Sequence, residues 1–162
     1  MSPLEGTLVQ PIMTDMAPVK TRIAGISFDN RDGTRRQDYA RLVRKGEVLS
    51  LRREPENPYD ANAIAVFWVD RDGAALQLGY VPRPLAMLLA PLVDEGAQLS
   101  AKVIRTGGGG LQQVGVRMQI DIDTSALPES RVTGLEPELQ IAAQAPDDGP
   151  DPGLAPTLGG GR

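Results

Sequence analysis

The chain has 162 residues, a formal net charge of −4, 18 Gly and 14 Pro, and neither Cys nor His. That length holds one ordinary domain, and a Gly-plus-Pro share of about a fifth, against a usual ~12%, predicts that part of the chain lies outside it. Missing Cys and His exclude disulfides, thiolate nucleophiles, His-type general bases and the common zinc ligand sets.

The N-terminal stretch is irregular, with Pro3, Pro11 and Pro18 and no periodicity. It carries no basic-then-apolar signal pattern, so residues 1–19 are expected to be a disordered arm. Next come "TRIAGISF" (21–28) and "EVLSLRRE" (47–54), which alternate apolar and polar residues as half-buried strands do, with a helical turn expected in "QDYARLVRKG" (37–46) between them. "AIAVFWV" (63–69) is a continuous apolar run suited to a central strand, and "DRDG" makes the hairpin turn into "LQLGYVP" (76–82). The period then changes. "RPLAMLLAPLVDEG" (83–96) has Pro84 in a tolerant first turn and Gly96 at a C-cap position, predicting a helix that Pro91 could bend.

"QLSAKVIRT" (98–106) and "QVGVRMQIDID" supply a final hairpin around the glycines 107–110. These glycines lack the Lys-Ser/Thr of a phosphate loop and read as a hairpin end. Six strands with one helix inserted after the fourth predict a mainly β fold, a small curled barrel of the OB-like or SH3-like kind over 20–123. Its core should include Ile64, Val66, Leu78, Leu85, Leu89, Val103 and Ile120, with Trp68 at least partly buried. Residues 124–162, rich in Pro and Gly and without aromatics, are expected to be a disordered tail in which "GLEPELQIAAQ" could form a short helix. The longest apolar segment, "LAMLLAPLV", is far below the ~20 residues that span a bilayer, so a soluble, cytoplasmic protein is expected; a monomer is expected as well.

Charge divides along the chain. From Lys20 to Asp123 there are 15 Lys+Arg against 13 Asp+Glu, net +2, while the flanks hold 2 against 8, net −6. Seven basic residues, from Arg35 to Arg53, gather before the loop "EPENPYDAN", either as a solvated face or as a groove for phosphates. Glu54, Glu56 and Asp60 could together hold Mg²⁺ through oxygen ligands, as in a metal-dependent nuclease, but ion pairs with Arg52 and Arg53 explain them equally well. No base with a pKa near neutrality is present. Catalysis is therefore not expected, and no cofactor or metal is required.

Within the loop, Asn57 before Pro58 starts a turn, and Asp60 and Asn62 can cap loop amides with their side chains. Tyr59 has no such local role. It either folds back onto the core or presents a ring to a planar ligand. "IAGISF", then "GEVLSLRREPENPYDANAIAV", then "LGYVPRPLA" with its helix closely resemble the HIRAN domain over about 20–123. That domain is found fused to Swi/Snf-type DNA translocases of replication-fork repair and in small stand-alone or fused bacterial proteins. With no Walker motif and no room for a motor, this chain resembles the stand-alone bacterial type.

The resemblance implies a modified OB-like barrel that grips the 3′ end of single-stranded DNA. Tyr59 and Phe28 would stack on a terminal base, and Asp60 would accept a hydrogen bond from the 3′-hydroxyl. Asn57 would bond near the terminal phosphate or shape the loop, and Arg83 would neutralise a phosphate. Arg52, in the basic run before the loop, is a further DNA-binding candidate. Ser27 departs from the Arg of eukaryotic members, and the glycine stretch lacks their further aromatic. The function expected is a non-catalytic DNA-binding module in DNA repair or replication, handing an end to a partner such as a helicase or nuclease. The alternative is a protein- or peptide-interaction module using the same groove.

Overall fold

Alternation in the sequence becomes strand in the computed structural model, which describes residues 16–108, 113–147 and 151–153. In chain order the elements are β1 (Val19–Arg22), α1 (Arg36–Ala40), β2 (Val48–Arg53), β3 (Ile64–Val69) and β4 (Ala75–Tyr80). They continue with α2 (Arg83–Asp94), β5 (Gln98–Gly107), β6 (Gly115–Asp123), α3 (Glu129–Val132) and α4 (Leu135–Gln144). All six strands join one antiparallel sheet in the order β1-β6-β5-β2-β3-β4. Register shifts at Val66/Phe67 and at Val103/Arg105 add local twist, as bulges do, and curl the sheet.

Curling brings the two edges together. Just beyond β1, Ala24 and Tyr80 exchange both backbone hydrogen bonds, at 2.8 and 2.9 Å, and so link the first strand to the last one in the sheet order. The approach is close. A Cβ at Gly79 would run into the Ala24 carbonyl oxygen and Ile23 Cγ2, so this position admits only glycine without a shift. The first strand is consequently shorter than "TRIAGISF". Gly25 takes φ +73°, the Phe28 N–H bonds back to the Gly25 carbonyl at 3.0 Å, and the chain turns where sequence alternation suggested continued extension.

The core is built by residues that the alternation marks. Ile64, Val66, Leu78, Leu85, Leu89, Val103 and Ile120 are buried, and Trp68 with them. The continuous apolar run of β3 has a structural reason, since both its faces are covered. Ile64, Val66 and Trp68 point to the main core, whereas Ala63 and Ala65 join Tyr80 and Phe67 in a second, smaller cluster. Along α2, Leu85, Ala86, Leu89, Ala90 and Leu92 face the core, and the helix continues through Pro91.

Ordered chain continues past 20–123 at both ends. Residues 1–15 of the expected arm are outside the described residues, but Met16 packs against the core and Val19 is buried within β1. After Asp123 the chain forms α3 and α4 instead of a loose tail over 124–147. Three apolar side chains on one face of α4, Leu139, Ala142 and Ala143, are buried in the core, which gives the ordering free energy that composition alone did not promise. Of the hairpin end at 107–110, Gly107 closes β5, and 109–112 are outside the described residues.

The same helix covers the sheet edge. Gln140 and Gln144 donate from Nε2 to the carbonyls of Pro18 and Lys20 at 3.2 and 3.0 Å, and Thr21 Oγ1 donates to the Ala143 carbonyl at 2.8 Å. Four helical residues rise ~6 Å and two extended residues ~6.6 Å, so glutamines at i and i+4 match the carbonyls of Pro18, just before β1, and Lys20 within it. An exposed Arg131–Glu95 pair at 2.6 Å links α3 to the end of α2. Among the described residues no helix is long and apolar enough to cross a membrane. Leu139→Ala is expected to cost about 2–5 kcal/mol in chemical denaturation, as for other buried leucines; a change near zero would place α4 outside the cooperative unit.

Candidate nucleic-acid interface

Tyr80, the last residue of β4, organises one face of the barrel. Its backbone holds Ala24, its ring packs on Ala63 and Ala65, and its hydroxyl donates to Glu54 Oε1 at 2.9 Å. Burial, with the Glu54 carboxylate nearby, pushes its ionisation up to about 12. Two loops start from this residue. One follows Ala24 through Phe28 to α1; the other runs from Glu54 to Ala63, whose ends are tied by the Glu54 N–H to Ala63 carbonyl bond at 2.9 Å.

Asn57 shapes the second loop from inside. Its Oδ1 accepts the N–H groups of Tyr59 and Asp60 at 2.8 and 3.1 Å, and its Nδ2 donates to Glu54 Oε1 at 2.9 Å. These bonds satisfy the turn and leave Tyr59 at its apex. The ring is 42% exposed, and Phe28 on the neighbouring loop is 41% exposed. They are the exposed members of the six aromatics; Tyr39, Phe67, Trp68 and Tyr80 are at least half-buried. Asp60 turns inward. Oδ1 accepts the Asn62 N–H at 2.9 Å, and Oδ2 lies 3.5 Å from Arg83 Nη1, with only 8% of the side chain exposed. The Arg83 N–H in turn donates to Asp147 Oδ2 at 2.9 Å.

Between the loops lies a cleft of about 710 Å³, lined by Asn30, Glu54, Asn57, Phe67 and Tyr80 among others. Arg52 stacks on the Phe67 ring with its guanidinium carbon 4.0 Å from the centroid. Arg36 is fully buried at the cleft. Its Nε donates to Asn30 Oδ1 at 2.8 Å and its Nη1 to the Gly25 carbonyl at 2.8 Å. Nη1 and Nη2 meet the two carboxylate oxygens of Asp151 at 2.9 and 3.1 Å. Beside that pair the Pro152 carbonyl accepts a bond from Asn57 Nδ2 at 3.2 Å.

Comparison with known proteins settles the family. The family model described as the HIRAN domain matches residues 21–122, well over half of the chain. The chain belongs to the HIRAN domain family. Its HIRAN domain is 43% identical over 56 residues to the helicase-like transcription factor of Oryctolagus cuniculus and 40% identical over 52 residues to the Fanconi-associated nuclease 1 homolog of Oryza sativa subsp. japonica. These matches span 35% and 32% of the chain but only 5% of either relative. In fold it is similar to the crystal structure of the HIRAN domain of human HLTF, with a TM-score of 0.52 and 23% identity over 80% of this chain and 91% of that one.

Within this HIRAN domain the six candidate residues do not form one cluster around the cleft. Asn57 lines it, and Arg52 reaches its wall through Phe67; Phe28, Tyr59, Asp60 and Arg83 are not among its lining. Of the carboxylates proposed for Mg²⁺, Glu54 is held by Asn57 and Tyr80, and Asp60 by Asn62 and Arg83. Among the described residues no three His, Cys, Asp or Glu side chains gather as a metal site. Sequence reasoning missed Arg36, Tyr80 and Asp151. Arg36 sits in a basic run that looks solvated, and its partner lies 115 positions away, so only the acidic flank hinted at a pairing.

The Tyr80 hydroxyl gives this network a spectroscopic handle. In the unfolded chain it would ionise near pH 10, so stability is unaffected below that and is lost as pH rises from about 10 through 12. An ultraviolet phenolate titration of the folded protein is expected to contain a late step near pH 12. Tyr80→Phe should remove it; a titration complete near pH 10 would place the hydroxyl in water.

Proposed function

We propose that this HIRAN domain is a non-catalytic DNA-binding module that holds single-stranded DNA by its 3′ end. The observation that carries the reading is the pair of exposed rings, Phe28 and Tyr59, on two loops anchored by one residue, Tyr80. An exposed aromatic at a hydrogen-bonded loop apex costs burial free energy unless a ligand covers it, and base stacking supplies about 1–3 kcal/mol per base without regard to sequence. Asp60 supports the end-specific part. Its Oδ1 holds the Asn62 N–H and its Oδ2 faces Arg83, so a 3′-hydroxyl takes its place on Asp60 by displacing the Arg83 guanidinium from the weakly held Oδ2. Arg52, stacked on Phe67, and Arg83, beside Asp60, supply positive charge.

A module of this kind needs a partner that acts on the end it holds, and a helicase or nuclease of replication or repair fits that need. A second reading, a peptide-binding module, has one observation in its favour: the Pro152 carbonyl on Asn57 is a peptide contact in the cleft. Salt separates the two, because single-strand binding should weaken with a log–log slope of about −0.7 per phosphate contacted.

Fluorescence anisotropy with a 5′-labelled single strand tests the proposal. Tyr59→Ala is expected to weaken binding by about 1–3 kcal/mol while leaving the melting temperature nearly unchanged. A large loss of stability with unchanged binding would return Tyr59 to a structural role. The chemistry of the end is a separate measurement. A 3′-phosphate would set a second anion against Asp60, so a 3′-phosphorylated strand should bind at least about tenfold more weakly than its 3′-hydroxyl twin, a gap of ~1.4 kcal/mol. Asp60→Asn should narrow that gap. Equal affinity for the two ends in low salt would remove the 3′-end reading.

A further inference from the structure

Arg36 is the largest fully buried side chain of the described residues, and a buried guanidinium is costly unless its charge is met. It is met by Asp151, a residue of the acidic C-terminal flank rather than of the sheet or of α1, which carries Arg36. The fit is close. Asp151 is 4% exposed, and its Oδ2 also accepts the Gly153 N–H at 2.9 Å. A Cβ on Gly25 would strike the Asp151 carboxylate, and one on Gly153 would strike Arg36 Nη2 and crowd the Tyr80 ring. Two glycines thus allow this short segment to reach the guanidinium.

The same segment touches the proposed DNA-binding loop. Pro152 lies between Asp151 on Arg36 and Gly153 on the cleft wall, and its carbonyl holds Asn57 Nδ2. A bidentate oxygen pair on a guanidinium, followed by an acceptor on a neighbouring amide, is also what a phosphodiester offers, and Arg binds carboxylate and phosphate through the same fork. We infer that Arg36, with Asn57 beside it, is an anion seat for a backbone phosphate of a bound strand, and that the chain's own Asp151–Gly153 occupies this seat as an intramolecular competitor. The inference rests on the strand-binding reading above. It adds a phosphate position and a means of restraint: affinity for an external strand falls by the fraction of molecules in which the segment is seated.

The test uses the full-length chain and a short 5′-fluorescein oligothymidylate. Gly153→Ala keeps every charge but leaves no room for the segment against Arg36, and Asp151→Ala removes the competing carboxylate. If the segment is seated about nine-tenths of the time, each variant should bind the strand about tenfold more tightly than the native chain. A synthetic peptide of residues 147–156 should then compete with the strand on Gly153→Ala. If the native chain and both variants bind equally, the inference falls and strand binding stands. If none of the three binds the strand, both fall. Binding of the peptide without binding of the strand also overturns the phosphate seat, in favour of a peptide site. Loss of a cooperative melt in both variants would show that the segment is part of the fold and not a displaceable ligand.

Discussion

The backbone bridge between Ala24 and Tyr80 is the constraint on which the rest depends. Without it the sheet would have two open edges, β1 and β4, and the loops that follow Ala24 and precede Ala63 would have no common support. With it, a single buried tyrosine fixes the closure by its main chain, the second small cluster by its ring and the NPYD loop by its hydroxyl. Gly79 is the steric condition for that closure, since only hydrogen in place of a side chain lets the Ala24 carbonyl come within bonding distance.

Charge is arranged around this frame in two tiers. Exposed pairs, Arg53 with Asp94 and Arg131 with Glu95, tie elements together at the surface, where each contributes little. Arg36 with Asp151 is different in kind, because both side chains are withdrawn from solvent and neither could stay so without the other. The mildly basic centre and acidic flanks counted along the chain meet physically at this point. The net charge of −4 therefore describes a molecule that screens part of its own basic surface.

The fold was legible wherever local pattern and tertiary demand agree. Alternation located β2, the hairpin around the glycine run located β5 and β6, the apolar run located β3, and Pro84 with Gly96 bracketed α2. Three features depended on contacts distant in sequence and left no local mark. Strand β1 ends early because Gly25 turns to let Ala24 reach Tyr80; α4 is ordered because its small apolar face finds the core; Arg36 is buried because Asp151 meets it. The site was legible in part. Tyr59 and Phe28 stand out in the sequence as aromatics without a structural reason, and they are the exposed rings of the molecule. The inward turn of Asp60 is the capping role that its neighbour Asn62 already suggested, combined with a contact to Arg83 that required the helix to be in place.

The glutamine ladder on β1 reaches beyond the packing of one helix. Edge strands offer unpaired carbonyls and amides to any other strand, and here Gln140 and Gln144 occupy alternate carbonyls while Thr21 bonds back to the helix. The helix thus does for β1 what a seventh strand would do, but with side chains, which cannot propagate pairing to another molecule. A shorter chain that stopped at the last strand would expose this ladder and acquire a route to self-association by strand addition. In this protein α4 occupies the edge that such an added strand would need.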